Sequence, residues 1–419
     1  MQGWRKNLAA IWVAQMLAII GFNSRAPFFV FFLRDDLGVH STHDLTLWAG
    51  VLNAAGALTM TIFAPIWGTL ADRYGRKPMV MRAMLCGCVL AALSSFATVP
   101  WHVLVLRFLE GATLGTVSAS VAYVASIAPR DRLGFSLGLM QMAVFSGASI
   151  GPLFGGFLAD HLGYRHTLWV SGGMLGLGGV VVWLFVHEAA RPRMAARGTG
   201  PGFIANTRRH LRNRLLLILI AVPFLEQIAN QSIQPIVPLF VRQLVGDRSD
   251  IASITGLMLG LGGIAGAISA VILGRLSDRV NPKTVLLICL CVGGLAYFPQ
   301  GLAPTITVLV IARCLFGLTT GGVGPTTNAL LAEITPPHEQ GSVYGLQQAM
   351  ISAGGLVGPL GAAFLAAGFS LRAPFFVTGI ILLFAALWTW REVPSQIAAR
   401  VIEAPAEPPV VLQRPPATP

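Results

Sequence analysis

The chain has 419 residues, of which 54% are hydrophobic and only 11% charged, against roughly 25% charged in an ordinary soluble domain. A fold of this size cannot hide that much apolar side chain from water, so a soluble enzyme or binding domain is excluded and lipid is the expected solvent. The formal charge of +12 would suggest nucleic acid in a soluble protein, but in a membrane chain an excess of Lys and Arg marks cytoplasmic loops, and no nucleic-acid partner is expected.

Crossing the hydrocarbon takes about 20 apolar residues as a helix. Twelve such stretches follow one another, at 8–33, 46–67, 80–100, 102–127, 134–158, 166–187, 214–241, 251–273, 284–303, 305–332, 341–367 and 372–391. They are too long and too evenly apolar for the short alternating strands of a membrane barrel, so an all-α membrane protein is predicted. Met1-Gln-Gly-Trp-Arg-Lys runs into the first stretch without a small-residue cleavage site and is read as part of a span rather than a removed signal. The cysteines Cys86, Cys88, Cys289, Cys291 and Cys314 all fall in apolar stretches. Residues two apart on a helix point to different faces, so the two Cys-x-Cys pairs read as small core residues, with no disulfide framework and no metal site.

Lys and Arg fix the expected orientation. Arg5, Lys6, Arg73, Arg76, Lys77, Arg82, Arg130, Arg132, Arg275, Arg279 and Lys283 fall on one face, together with an arginine-rich run between 191 and 214. The other face holds only Arg34, Arg165, Arg242, Arg248 and Arg372. Both termini are therefore predicted to be cytoplasmic. The arginine-rich stretch 188–213 is expected to be a cytoplasmic linker between an N-terminal six-helix bundle, 1–187, and a C-terminal one, 214–393. The proline-rich residues 394–419 read as a disordered cytoplasmic tail.

The two bundles read as copies of each other. Pro27 matches Pro235, Arg34 matches Arg242, Asp72-Arg73 match Asp278-Arg279, Arg107 matches Arg313, and Gly111 and Gly115 match Gly317 and Gly321. Gly134, Gly138, Gln141, Gly147, Gly151 and Pro152 match Gly341, Gly345, Gln348, Gly354, Gly358 and Pro359. One register held across many spans points to a duplicated transporter with its site between the halves.

Three stretches carry a family resemblance. Gly68-Thr-Leu-Ala-Asp72-Arg73-Tyr-Gly75-Arg76-Lys77, between spans two and three, resembles the signature loop of the major facilitator superfamily. Arg107-x-x-Glu110-Gly111-x-x-x-Gly115 is similar to the span-four signature of its proton-coupled members, and Gly147-x-x-x-Gly151-Pro152-x-x-Gly155-Gly156 to the span-five signature of its antiporter branch. The resemblance is nearest to twelve-span multidrug efflux proteins of the bacterial inner membrane. It implies that Asp72 faces the N-terminus of span eleven near Ser342, so that Asp72, Arg73, Arg76 and Lys77 latch the halves in an outward-facing state. The second copy, Asp278 and Arg279, has Asn281 in place of a glycine and is expected to latch more weakly. The glycines of span five permit close helix approach whether or not they gate, and Pro152 removes a backbone donor.

Charges inside spans are costly to bury and mark function by default. Glu226 falls midway along span seven beside Gln227, Asn230, Gln231 and Gln234, which makes it a candidate proton carrier exchanged against a cationic drug. Arg107 and Glu110 share a helix face, either as a second proton site or as a static pair. Arg313 repeats Arg107, but Phe316 stands where its acid would be, and a structural or electrostatic role is expected for it. Arg25 in span one, beside Asn23, is expected to be a counter-ion for Glu226, a contact for an anionic substrate, or a snorkelling cation. Gln141, Gln348 and Phe29 complete the expected substrate cavity, with Phe28, Phe31, Phe32, Trp48, Tyr123, Phe145, Phe224, Phe240, Tyr344 and Phe375 as further candidate lining.

No phosphate loop, His-Glu-x-x-His or Ser-His-Asp grouping is present, and the glycine-rich 256–266 follows no strand. No catalytic residue, cofactor or metal is expected. The expected partners are a small-molecule substrate, protons and the bilayer, acting on a monomer. Proton-coupled drug efflux is the leading expectation. Transport of a small anionic metabolite through Arg25 is the alternative, and a non-transporting membrane sensor is a third.

Overall fold

The computed structural model describes residues 3–113, 115–129, 132–187, 214–277, 280–335 and 340–394. The predicted linker, nearly all of the tail, and the pair Asp278 and Arg279 lie outside these residues, as do the side chains of Gly68 and Asp72. Among the described residues, 12 helical stretches are long and apolar enough to cross a membrane, one for each predicted span.

Three spans are broken, and the sequence marks each break. Span one is a helix Gly3–Arg25, a 3-10 turn Ala26–Phe28 and a second helix Phe29–Asp35; Pro27 lacks the donor that would continue the first helix. Span seven repeats this, with Arg214–Ile233 followed after Pro235 by Val237–Val245. Span four, expected to be continuous, divides into Pro100–Thr113 and Thr116–Ile127 at Gly115, whose φ of 137° is open to glycine and strained for other residues.

The remaining spans are single helices: Thr42–Tyr74, Arg76–Ser94, Leu133–Leu162 and Tyr164–Phe185 in the first half. In the second half they are Ile251–Ser277, Pro282–Leu302, Ile306–Ile334, Gln340–Gly368 and Ala373–Glu392. Polar caps start two of them: the Ser41 hydroxyl accepts from the Asp44 N–H at 3.4 Å, and the Asn281 side chain from the Lys283 N–H at 2.9 Å.

Equivalent contacts recur in the two halves. Gly147 and Gly151 of span five lie against Ile19 and Asn23 of span one, as Gly354 and Gly358 of span eleven lie against Phe224 and Ile228 of span seven. Gly111 meets Gly56 between spans four and two, and Gly317 meets Gly262 between spans ten and eight. Lys77 donates to the Trp183 carbonyl and Lys283 to that of Trp390, each at 3.0 Å, so the start of the third span in each half is tied to the end of the last. Such contacts substitute small-residue packing for a hydrophobic drive that lipid cannot supply.

One apolar core fills the second half around Val222, Phe240, Tyr297 and Phe375, and another the first half around Ile11, Met84, Tyr123 and Val182. A third crosses between the halves at the cation-poor face. There Phe28, Phe31, Phe32, Leu45 and Leu168 pack with Leu239, Ile251 and Ala252.

Candidate functional site

Polar contacts reinforce this cross-half core. The carboxylate of Asp160, at the end of span five, accepts hydrogen bonds from the backbone N–H groups of Ala252 at 3.1 Å and Ser253 at 2.6 Å. These are among the free donors that open span eight, where the helix dipole favours an anion. Gly156 lies against the Ala252 carbonyl and Gly256 against that of Pro152, so no side chain separates the two helices. In the loop beyond span seven, Asp247 accepts from Arg34 of the first half at 3.0 and 3.1 Å and from Arg242 of the second at 2.6 and 3.0 Å. Hydrogen bonds from Arg242 and then Arg34 hold the Asp247 carboxyl well below the usual carboxylate range. The repeated pair of arginines thus closes on one acid between the halves.

Beneath this closure lies a cavity of 570 Å³ between the halves. Of the residues expected to line it, Asn23, Gln141, Glu226, Gln227, Asn230, Gln231 and Gln234 do so. Gln141 and Phe145 on span five and Gly324 and Pro325 on span ten are exposed along it. The latter two lie toward the end of their span away from the closure. Glu226 has no ion-pair partner among the described residues.

Glu110 sits differently. It is 3% exposed and held by two arginines: Arg107 Nη1 at 2.9 Å, and Arg25, which pairs with it through both terminal nitrogens. The rings of Phe22 and Phe29 lie under the guanidiniums, with Arg107 5.1 Å from the Phe29 centroid. The arrangement corrects the expectation for Arg25. It neither pairs with Glu226 nor lines the cavity, because Glu110, one helix away, offers both carboxylate oxygens, and it is too deeply buried to snorkel. Phe29 and Gln348 also lie off the cavity wall: Phe29 is buried beneath Arg107 and Gln348 is exposed elsewhere on span eleven. Of the further aromatic candidates only Phe145 lines the cavity; Phe28, Phe31, Phe32, Tyr123, Phe240 and Phe375 are core residues. Pairing did not occur where span one alone suggested it, because register between helices, not position along one, decides which charges meet.

Phe22 and Phe316 also line the cavity and Asp160 caps span eight, roles that no local sequence pattern marks. Arg313, for which a structural or electrostatic role is expected, also lines the cavity. Its repeat position opposite Arg107, without an acid, was the available signal. In the loop after span two, Gly75 has a φ of 102° and turns the chain, Arg73 lies over the Tyr74 ring, and Arg76 donates to the Ala122 carbonyl. With Lys77 these contacts tie the loop to spans four and six of its own half.

A twelve-span bundle of two repeated halves, shut at one face and hollow between the halves, is the architecture of a membrane carrier that exposes a central site to one side at a time. The sequence pattern described as the Major Facilitator Superfamily matches residues 11–298 and 224–417. The chain is 33% identical over 388 residues to the multidrug resistance protein MdtG of Salmonella dublin, covering 92% of this chain and 95% of that protein. It is 33% identical over 404 residues to the protein of the same name from Yersinia enterocolitica, covering 96% and 97%. Among solved structures, a bacterial homolog of the human lysosomal transporter Spinster, in an inward-facing and occupied conformation, superposes with a TM-score of 0.77 at 14% identity, over 97% of this chain and all of that one. A D-xylose–proton symporter gives 0.75 at 18% identity, over 93% and 98%. The chain belongs to the Major Facilitator Superfamily and is a multi-pass membrane protein.

Proposed function

We propose that the chain is a proton-coupled secondary transporter of the bacterial inner membrane that exports amphipathic drugs by alternating access. Glu226 is the proton site. The relatives named as multidrug resistance proteins support the substrate class, and the observation that carries the mechanism is the contrast between the two buried acids. Glu110 is neutralised by Arg25 and Arg107, so removing its charge would strand two cations. Among the described residues Glu226 has no counter-ion, so each proton it gains or loses changes the charge of the cavity wall, and a cationic group on the drug can take the proton's place.

In this reading the cation-rich face and both termini are cytoplasmic, and 1–187 and 214–393 move as the two rocking units. The outer closure through Asp160 and Asp247 then belongs to the inward-facing state. The loop latch of Gly68 to Lys77, with Asp278 and Arg279 as its copy, belongs to the outward-facing one. Gly147, Gly151, Gly155 and Gly156 with Pro152 form the sliding surface between them.

The test is uptake into inside-out proteoliposomes under an imposed pH gradient. The wild-type protein should accumulate ethidium only when the interior is acidic, Glu226→Gln should abolish this, and Glu110→Asp should retain a substantial part. Gradient-driven transport by Glu226→Gln at the wild-type rate would remove Glu226 from the mechanism.

A further inference from the structure

Arg313 on span ten is 6% exposed, lines the cavity, and has its Nη1 buried without a hydrogen-bond partner. Among the described residues it forms no ion pair. The residue one turn along is Phe316, where the equivalent turn of span four supplies Glu110 to Arg107. A guanidinium in the middle of a span without its acid is expensive to keep.

The surrounding helices nevertheless hold it in place. A Cβ on Gly262 of span eight would lie 3.2 Å from the Arg313 Cγ, so the glycine leaves room for the stem. The Phe316 ring lies 5.1 Å from the guanidinium carbon, and the Tyr297 hydroxyl stands beside the same group. That hydroxyl donates to the Ala229 carbonyl at 3.1 Å, one turn along span seven from Glu226. Arg313 and Glu226 therefore share one wall of the cavity, neighbours around Tyr297 but beyond salt-bridge reach of each other. The charged residues that line the cavity are Arg313 and Glu226, and behind the wall Arg25, Arg107 and Glu110 leave one further positive charge, so a purely cationic molecule would meet no net negative charge even with Glu226 ionised.

We propose that the transported molecule is amphoteric: its basic group meets Glu226, and a carboxylate, or another planar or phosphate-like oxyanion, meets Arg313. The planar fork of donors on Arg313 suits such an oxyanion. The anionic group thereby supplies the partner that span ten lacks. This rests on the proton-coupled export reading and narrows it to a substrate with two opposite charges on an amphipathic body.

The experiment compares a zwitterionic fluoroquinolone, which carries a carboxylate and a basic amine, with its methyl ester, which keeps only the amine, in the inside-out proteoliposome assay. Ethidium is run alongside. The wild-type protein should transport the zwitterion in preference to the ester. Arg313→Gln should lower zwitterion transport about tenfold or more, the worth of a charge-assisted hydrogen bond, while transport of the ester and ethidium is kept or raised because the wall loses a positive charge, which also verifies folding. Arg313→Lys should fall between. Equal losses for zwitterion and ester in Arg313→Gln, or wild-type transport of ester and ethidium without the zwitterion, would overturn the proposal while export stands. If no compound responds to the gradient, both readings fall.

Discussion

Replacing Asp160 by Ala removes the acceptor for two backbone donors at the start of span eight, Ala252 at 3.1 Å and Ser253 at 2.6 Å. A capping oxygen contributes about 1 kcal/mol, and a carboxylate on a partly buried helix N-terminus adds about 1 kcal/mol. These contacts bridge the halves only while the cation-poor face is shut. Their loss should therefore shift the closed-to-open equilibrium at that face by about 2 kcal/mol, or roughly 30-fold. Asp160→Asn keeps a neutral acceptor and should fall between wild type and Ala. Spin labels on cysteines replacing His40 and Phe369, exposed positions at that face in different halves, in a background without native cysteines, would report the shift as a longer-distance population in electron–electron resonance. An unchanged distance distribution in Asp160→Ala would refute the argument, because it would mean that the apolar core alone sets closure.

Glu110→Gln strands Arg25 and Arg107, which are 2% and 5% exposed, and should destabilise the first half by about 3–5 kcal/mol, read as a lowered unfolding midpoint in detergent; Arg25→Gln leaves the Arg107–Glu110 pair and should cost less. Gly156→Val drives a side chain into the Ala252 carbonyl and should open the cation-poor face further than Asp160→Ala in the same distance measurement, whereas Gly138→Ala, which meets nothing within 4 Å, should behave as wild type. Asp247 is held below its ordinary range by Arg242 and Arg34, so its contribution is present above the ordinary carboxylate pKa of about 4 and lost only as pH falls through the lowered value. Closure should therefore be insensitive to Asp247 titration between about pH 5 and 8, and Asp247→Asn should weaken it only slightly at high salt, because the group is exposed and screened. A midpoint near pH 6 that disappears in Asp247→Asn would contradict this.

Span number, the repeated register and the family were legible in the sequence because they rest on one-dimensional quantities. Lipid demands runs of about 20 apolar residues, the cation bias shows in loop composition, and duplication leaves matched residues at matched places. Pro27 and Pro235 likewise stand where spans one and seven break, since a missing donor acts locally. Gly115 was visible as a residue but not as a break, because its φ depends on what span four packs against. The amides around Glu226 could be grouped in advance because a single helix carries most of them. The fate of each charge could not. Arg25 belongs to Glu110, and among the described residues Glu226 faces the cavity without a counter-ion and Arg313 keeps a buried nitrogen without a partner, because electrostatic pairing depends on distances between helices that only the tertiary fold sets. For the same reason nothing near Asp160 in the chain announced that it would cap span eight, since that donor set comes from the other half.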